Sequence, residues 1–218
     1  MRLVLPLIMG PLALHCSLAQ ADRQEEINRC EPSELATWAD GKDGPAKNRS
    51  LVFVYSGASS SQFKDDQVRA MIARAASAWE ACGLEIQVGG EVESLFRPGS
   101  RRVLVKWADK SLAAVAHADL GRDLLLLNPQ VFLQLQDLRG VEVATTSLQM
   151  TISHEMGHFL GMRAHSRRCV DVMSYYTSPT GEKCSLRDPS QFGRFVEYRH
   201  DLPTACDIAR CRALNPRR

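Results

Sequence analysis

The sequence has almost no surplus of either charge: 27 Lys and Arg stand against 25 Asp and Glu, a formal net charge of +2. That near-balance removes the reason to expect a nucleic-acid or anionic-membrane partner. There is no C-x-x-C pair, so neither a thioredoxin motif nor a zinc ribbon has support. No internal repeat is visible, and 14 Gly and 10 Pro in 218 residues are ordinary values. Collagen-like, low-complexity and disordered-tail classes are thereby excluded. No apolar stretch reaches the roughly 20 residues that a membrane-spanning helix needs. The length suits one domain, or one domain in two lobes, with a sizeable core.

The first residues read as an export signal rather than as part of the fold. Arg2 is a short positive region, Leu3 to Leu14 is apolar, and Ala19-Gln20-Ala21 is an A-x-A cleavage site. Residues 1–21 are therefore expected to be removed, and the protein to be secreted or periplasmic, monomeric and free of the membrane after cleavage. Cys16 leaves with the signal, and six cysteines remain: Cys30, Cys82, Cys169, Cys184, Cys206 and Cys211. An even number in an exported chain reads as disulfides, with the connectivity open. Nearness in sequence favours Cys169–Cys184 and Cys206–Cys211, leaving Cys30–Cys82, although two cysteines five apart at a helix start have unfavourable geometry.

Residues 22–50 are polar and turn-rich around Asp40-Gly41-Lys42-Asp43-Gly44-Pro45, and read as an N-terminal extension, either a short pro-region or part of the fold. Leu51 to Tyr55 is a buried-strand run, and Leu84 to Val88 alternates like a half-buried strand. Val103–Trp107, Ala113–Ala118 and Leu124–Leu127 are further strand candidates. Between the first two, Val68, Met71, Ile72, Ala75, Ala76 and Trp79 recur at helical spacing over Asp65–Ala81, which Gly83 ends. A second helix is expected to start at Thr145 or Thr146 and stop at Gly161, and a last one to be capped by Thr204. Residues 162–203 read as irregular structure.

The strongest chemical signal is His154-Glu155-Met156-Gly157-His158. Residues four apart share a helix face, so both imidazoles can bind one zinc ion, and Glu155 can act as general base on an attacking water. Gly161 can end the helix in a left-handed turn and send the chain back across the metal, bringing His165 with it. Asp171-Val172-Met173-Ser174-Tyr175 follows. Here the sequence resembles the metzincin clan of zinc endopeptidases, whose pattern is H-E-x-x-H-x-x-G-x-x-H followed by a Met-turn. The resemblance implies zinc (Zn2+) on His154 and His158, Glu155 as base, Met173 as the apolar floor, and Tyr175 as a ligand or oxyanion donor, as in the astacin and serralysin branches. It also implies an α+β, zincin-like fold: a twisted, mixed five-stranded sheet, two helices above an active-site cleft, and an irregular C-terminal lobe ending in a helix. The catalytic domain would span 51–214, with an upper lobe 51–161 and a lower lobe 162–214, and Ala114–Ala118 as the edge strand that pairs with substrate.

One position departs from the pattern. Ala164 stands where the third histidine belongs, and His165 comes one residue late. Snapalysin-like enzymes carry Asp at the third position with His directly after it and a disulfide around the Met-turn, which Cys169 and Cys184 match. His165 is the favoured third ligand, with Asp171 or His200 as the alternatives. His117 reads as a strand histidine, because the partners of a structural zinc site are missing. The expected function is a secreted zinc endopeptidase acting on protein or peptide. The alternative is a catalytically inactive metzincin-like module that binds or inhibits a partner.

Overall fold

A computed structural model of the chain describes residues 23–57, 63–89, 98–109, 112–178, 180–191 and 193–217. The signal segment lies outside them. The fold is α+β, built on a five-stranded sheet in the order β2-β1-β3-β5-β4. Its strands are β1 (Ser50–Tyr55), β2 (Glu85–Gly89), β3 (Arg101–Trp107), β4 (Ala116–Asp119) and β5 (Leu124–Leu127). All neighbours are parallel except β4, which runs antiparallel to β5 and forms an edge. β1 has parallel neighbours on both sides and is buried from Leu51 to Tyr55, which is why it reads as a continuous apolar run.

Helix α1 (Asp65–Trp79) buries the six residues whose spacing announces it, and Gly83 ends the following 3-10 turn at φ 87°. Helix α2 (Pro129–Arg139) adds an element absent from the sequence reading. Asn128 caps it, accepting a hydrogen bond from the Gln130 N–H at 3.1 Å, and Pro129 opens its first turn. Helix α3 (Val141–Phe159) begins at Gly140 rather than at Thr145 or Thr146. The Thr145 hydroxyl donates back to the Val141 carbonyl at 2.7 Å, a mid-helix bond that takes it out of any capping role. The core lies where α1 and α3 meet the sheet: Phe53 meets Phe159 edge-on at 5.9 Å, and the Trp79 indole donates to the Ser153 carbonyl at 3.0 Å.

Strand β4 starts at Ala116, three residues later than the run from Ala113 suggests. The Asn128 amide takes up the carbonyls of Leu112 and Ala114 at 3.0 and 3.1 Å, and the Asn128 N–H takes that of Val115 at 2.9 Å. Those carbonyls are thus used by a helix cap, not a ladder.

Beyond α3 the chain is irregular until α4 (Ala205–Leu214), where Thr204 and Asp207 form a capping box. Three disulfides pin this half: Cys169–Cys184, Cys30–Cys206 and Cys82–Cys211. The first is the expected pair; the other two replace the expected Cys206–Cys211 and Cys30–Cys82. Cys206 and Cys211 share one helix, where five residues rise about 7.5 Å and turn about 140°, beyond disulfide reach. They therefore bond outward, to the N-terminal segment and to the 3-10 turn that follows α1. Three disulfides suit an oxidising compartment, and among the described residues no helix is long and apolar enough to cross a membrane.

Residues between Arg23 and Ala46 make repeated contacts with the C-terminal half. Buried Glu26 accepts from the Tyr198 hydroxyl at 2.9 Å, and its carbonyl takes an Arg168 N–H at 2.7 Å. Farther along, Thr37 and Ser166 form an antiparallel bridge.

Candidate metal centre

Helix α3 carries His154 and His158 on one face, with ring centroids 5.0 Å apart. The helix ends at Phe159 and the chain turns at Gly161, whose φ is 103°. A Cβ there would collide with the Gly44 carbonyl, so glycine is needed both for the turn and for the close approach of the N-terminal segment. The turn returns His165 to a position 5.1 Å from each of the other two rings. One nitrogen from each of the three histidines lies within 4.8 Å of the others.

Every one of these rings is held at Nδ1. His154 Nδ1 meets the Val172 carbonyl at 2.7 Å, His158 Nδ1 the Met162 carbonyl at 2.7 Å, and His165 Nδ1 the Asp40 carboxylate at 2.6 Å. A carbonyl only accepts, so the ring proton sits on Nδ1 in the first two, and the Asp40 carboxylate asks the same of the third. Among the described residues none donates a hydrogen bond to the three Nε2 lone pairs. His165 Nε2 is buried without a hydrogen-bond partner, which is costly unless something else occupies its lone pair. Burial lowers the pKa of all three: His154 well below the usual range, His158 to about 4, and His165 despite the opposing pull of Asp40. Three neutral imidazoles with converging Nε2 atoms fit a divalent zinc ion.

Glu155 lies beside them, buried, and its carboxyl is pushed up to about 7 by that burial against a hydrogen bond from the Ala118 backbone. Tyr175 stacks on His165 with centroids 3.6 Å apart and is 42% exposed. Met173 is fully buried against Gly157 of the motif. Its turn is fixed by Asp207 at the start of α4, which accepts the Val172 and Met173 N–H groups at 2.9 and 3.4 Å. Two cavities flank Glu155, of about 450 and 320 Å³, and Ala114, Ala116 and Tyr175 line both. A cleft therefore runs along the β4 edge past the three histidines.

The structure separates the alternative third ligands from this cluster. Asp171 spends its oxygens on Ser166, Arg168 and Thr204, at 2.6, 2.8 and 2.6 Å. His200 turns its Nδ1 to the Leu202 carbonyl at 2.9 Å. His117 stays on β4, lining the smaller cavity. The other grouping of potential ligands among the described residues, Cys30, Glu34 and Cys206, has both sulfurs in a disulfide and offers no thiolate.

Sequence reasoning missed Asp40 and Asp43. Asp40 accepts the His165 backbone N–H at 2.8 Å as well as its ring. These bonds outweigh burial and hold the Asp40 carboxyl below the usual carboxylate range. Asp43 accepts the Arg163 and Ala164 N–H groups, both at 2.8 Å, and pairs with Arg210. In the sequence these residues signal only a turn.

No protein-family model matches the chain, and no curated protein matches it. Among solved structures, a chain of one described as "GM1 bound form of the ECX AB5 holotoxin" is 13% identical, with a TM-score of 0.48 over 80% of this chain and 86% of that one. Likeness at that level carries neither fold nor function across.

Proposed function

We propose that this chain is a secreted zinc-dependent endopeptidase of metzincin type. The observation that carries the reading is the convergence of His154, His158 and His165 beside the buried carboxyl of Glu155. His154, His158 and His165 would hold the ion through Nε2. Bound there, zinc would supply Lewis acidity toward a peptide carbonyl and a water.

The chain's own groups supply the rest. Glu155, buried beside the three histidines, accepts the proton of the attacking water and delivers it to the departing amine nitrogen. The β4 edge, hydrogen-bonded on one side by β5, has backbone groups along the cleft to align an extended peptide. Burial raises the Tyr175 phenol above its usual range, so it stays a neutral donor for negative charge growing on the carbonyl oxygen. The Cys169–Cys184 bridge encloses both Met173 and Tyr175 and so steadies the floor and this donor together.

Elemental analysis of the purified protein, with casein or gelatin cleavage before and after chelation, tests the reading. One zinc per chain, with activity lost to chelator and restored by zinc, is the expected result. Protein free of zinc, or cleavage indifferent to chelation, would overturn it. Stoichiometric zinc without cleavage would favour the inactive binding module.

A further inference from the structure

The stretch from Gly161 to Arg167 does not support itself. Several of its polar backbone groups are met by the N-terminal segment: Gly44 N–H donates to the Gly161 carbonyl at 3.1 Å, and Arg167 N–H to the Ala36 carbonyl at 3.0 Å. Between them Asp43 takes the Arg163 and Ala164 N–H groups. His165 is gripped at three points. Its N–H and ring Nδ1 both go to Asp40, and its carbonyl accepts from the Trp38 N–H at 2.9 Å. The Asp40 and His165 side chains are 14% and 10% exposed, so water competes little for these bonds. Cys30–Cys206 and the Asp43–Arg210 pair tie the gripping segment to α4.

This arrangement accounts for a third histidine that arrives one residue late. A longer return loop leaves extra N–H groups and more freedom at the ring, and carboxylates from 125 and 121 residues upstream remove both. We propose that Asp40 is a positioning residue of the metal centre, setting the direction and basicity of His165 Nε2, and that segment 36–44 is a working part of the site. The proposal rests on the zinc reading above. An imidazole whose far nitrogen donates to a carboxylate is oriented and made a stronger ligand, and loss of such a partner typically weakens metal binding about 10–100-fold.

The test uses the full chain with zinc alone, read by chelator competition, and with cobalt(II), read by its visible absorption bands. Asp40→Asn is expected to weaken zinc about 10–100-fold and to change the cobalt spectrum. Asp40→Glu, which keeps the charge, should fall between wild type and Asp40→Ala. In a His165→Gln background the Asp40→Asn change should have almost no further effect, because the ring it positions is gone. Thermal unfolding of the metal-free forms shows that each variant is folded. Unchanged affinity and spectrum in Asp40→Asn would overturn the proposal, as would an equal loss in the His165→Gln background, the mark of a merely structural role. Wild type that binds no zinc would instead bring down the zinc reading, and the proposal with it.

Discussion

The sulfur of Met173 fills the space that a side chain at Gly157 would need. A Cβ on Gly157 would overlap that sulfur and come within 3.1 Å of the Trp79 ring and 3.2 Å of the Met162 methyl. The glycine between the two motif histidines is thus a packing requirement that joins helix α3 to the turn carrying Met173.

Gly157→Ala should therefore destabilise the fold by about 1–3 kcal/mol, the usual cost of overpacking a filled core. Shortening the opposing side chain should relieve part of it. Thermal unfolding of Gly157→Ala, Met173→Ala and the double variant checks this, and the double variant is expected to be more stable than the sum of the two single losses allows.

The Cys169–Cys184 bridge closes a loop whose ends are 15 residues apart. Such a loop is worth roughly 3 kcal/mol in the chain-entropy model. Because it contains Met173 and Tyr175 and lies away from the sheet, the Cys169→Ser/Cys184→Ser variant should lose zinc and peptidase activity before the secondary structure melts. Bound zinc, activity and far-UV circular dichroism followed together along a temperature ramp give the order. Simultaneous loss of all three would contradict it.

Glu34 provides a pH-dependent clasp. Hydrogen bonds from Arg187, at 2.7 and 2.8 Å, hold its carboxyl down at about 2 against an ordinary value of 4.5. A carboxyl lowered in the folded state adds stability above its unfolded pKa and loses that contribution as the pH falls through the folded value. Wild type should thus exceed Glu34→Gln in melting temperature at pH 6, and the difference should shrink between pH 4.5 and 2. A gap that is constant with pH would show that Glu34 acts without its charge.

The parts legible in the sequence are those whose signal is local. His154, Glu155 and His158 are fixed by one helix turn, and the β1 run and the α1 stripe by a few adjacent residues. Helix α2 also has a local signal, Asn128-Pro129 followed by Val131, Phe132 and Leu135, but the sequence reading passed over it. Asp40 was not legible, because its partner His165 is 125 residues away and the choice between solvent and imidazole is made only by tertiary packing. The same holds for Cys30–Cys206 and Cys82–Cys211, separated by 176 and 129 residues. Nearness misled there because a helix turns neighbouring cysteines to different faces.

The most direct test of the central claim is the rate of casein cleavage by Glu155→Gln, measured on a sample whose zinc content is determined at the same time. Glutamine keeps the shape of the side chain and removes its ability to take a proton. The account predicts full zinc occupancy with cleavage reduced about 10²–10⁴-fold, the range for losing a general base. Cleavage at the wild-type rate by the zinc-loaded variant would contradict it.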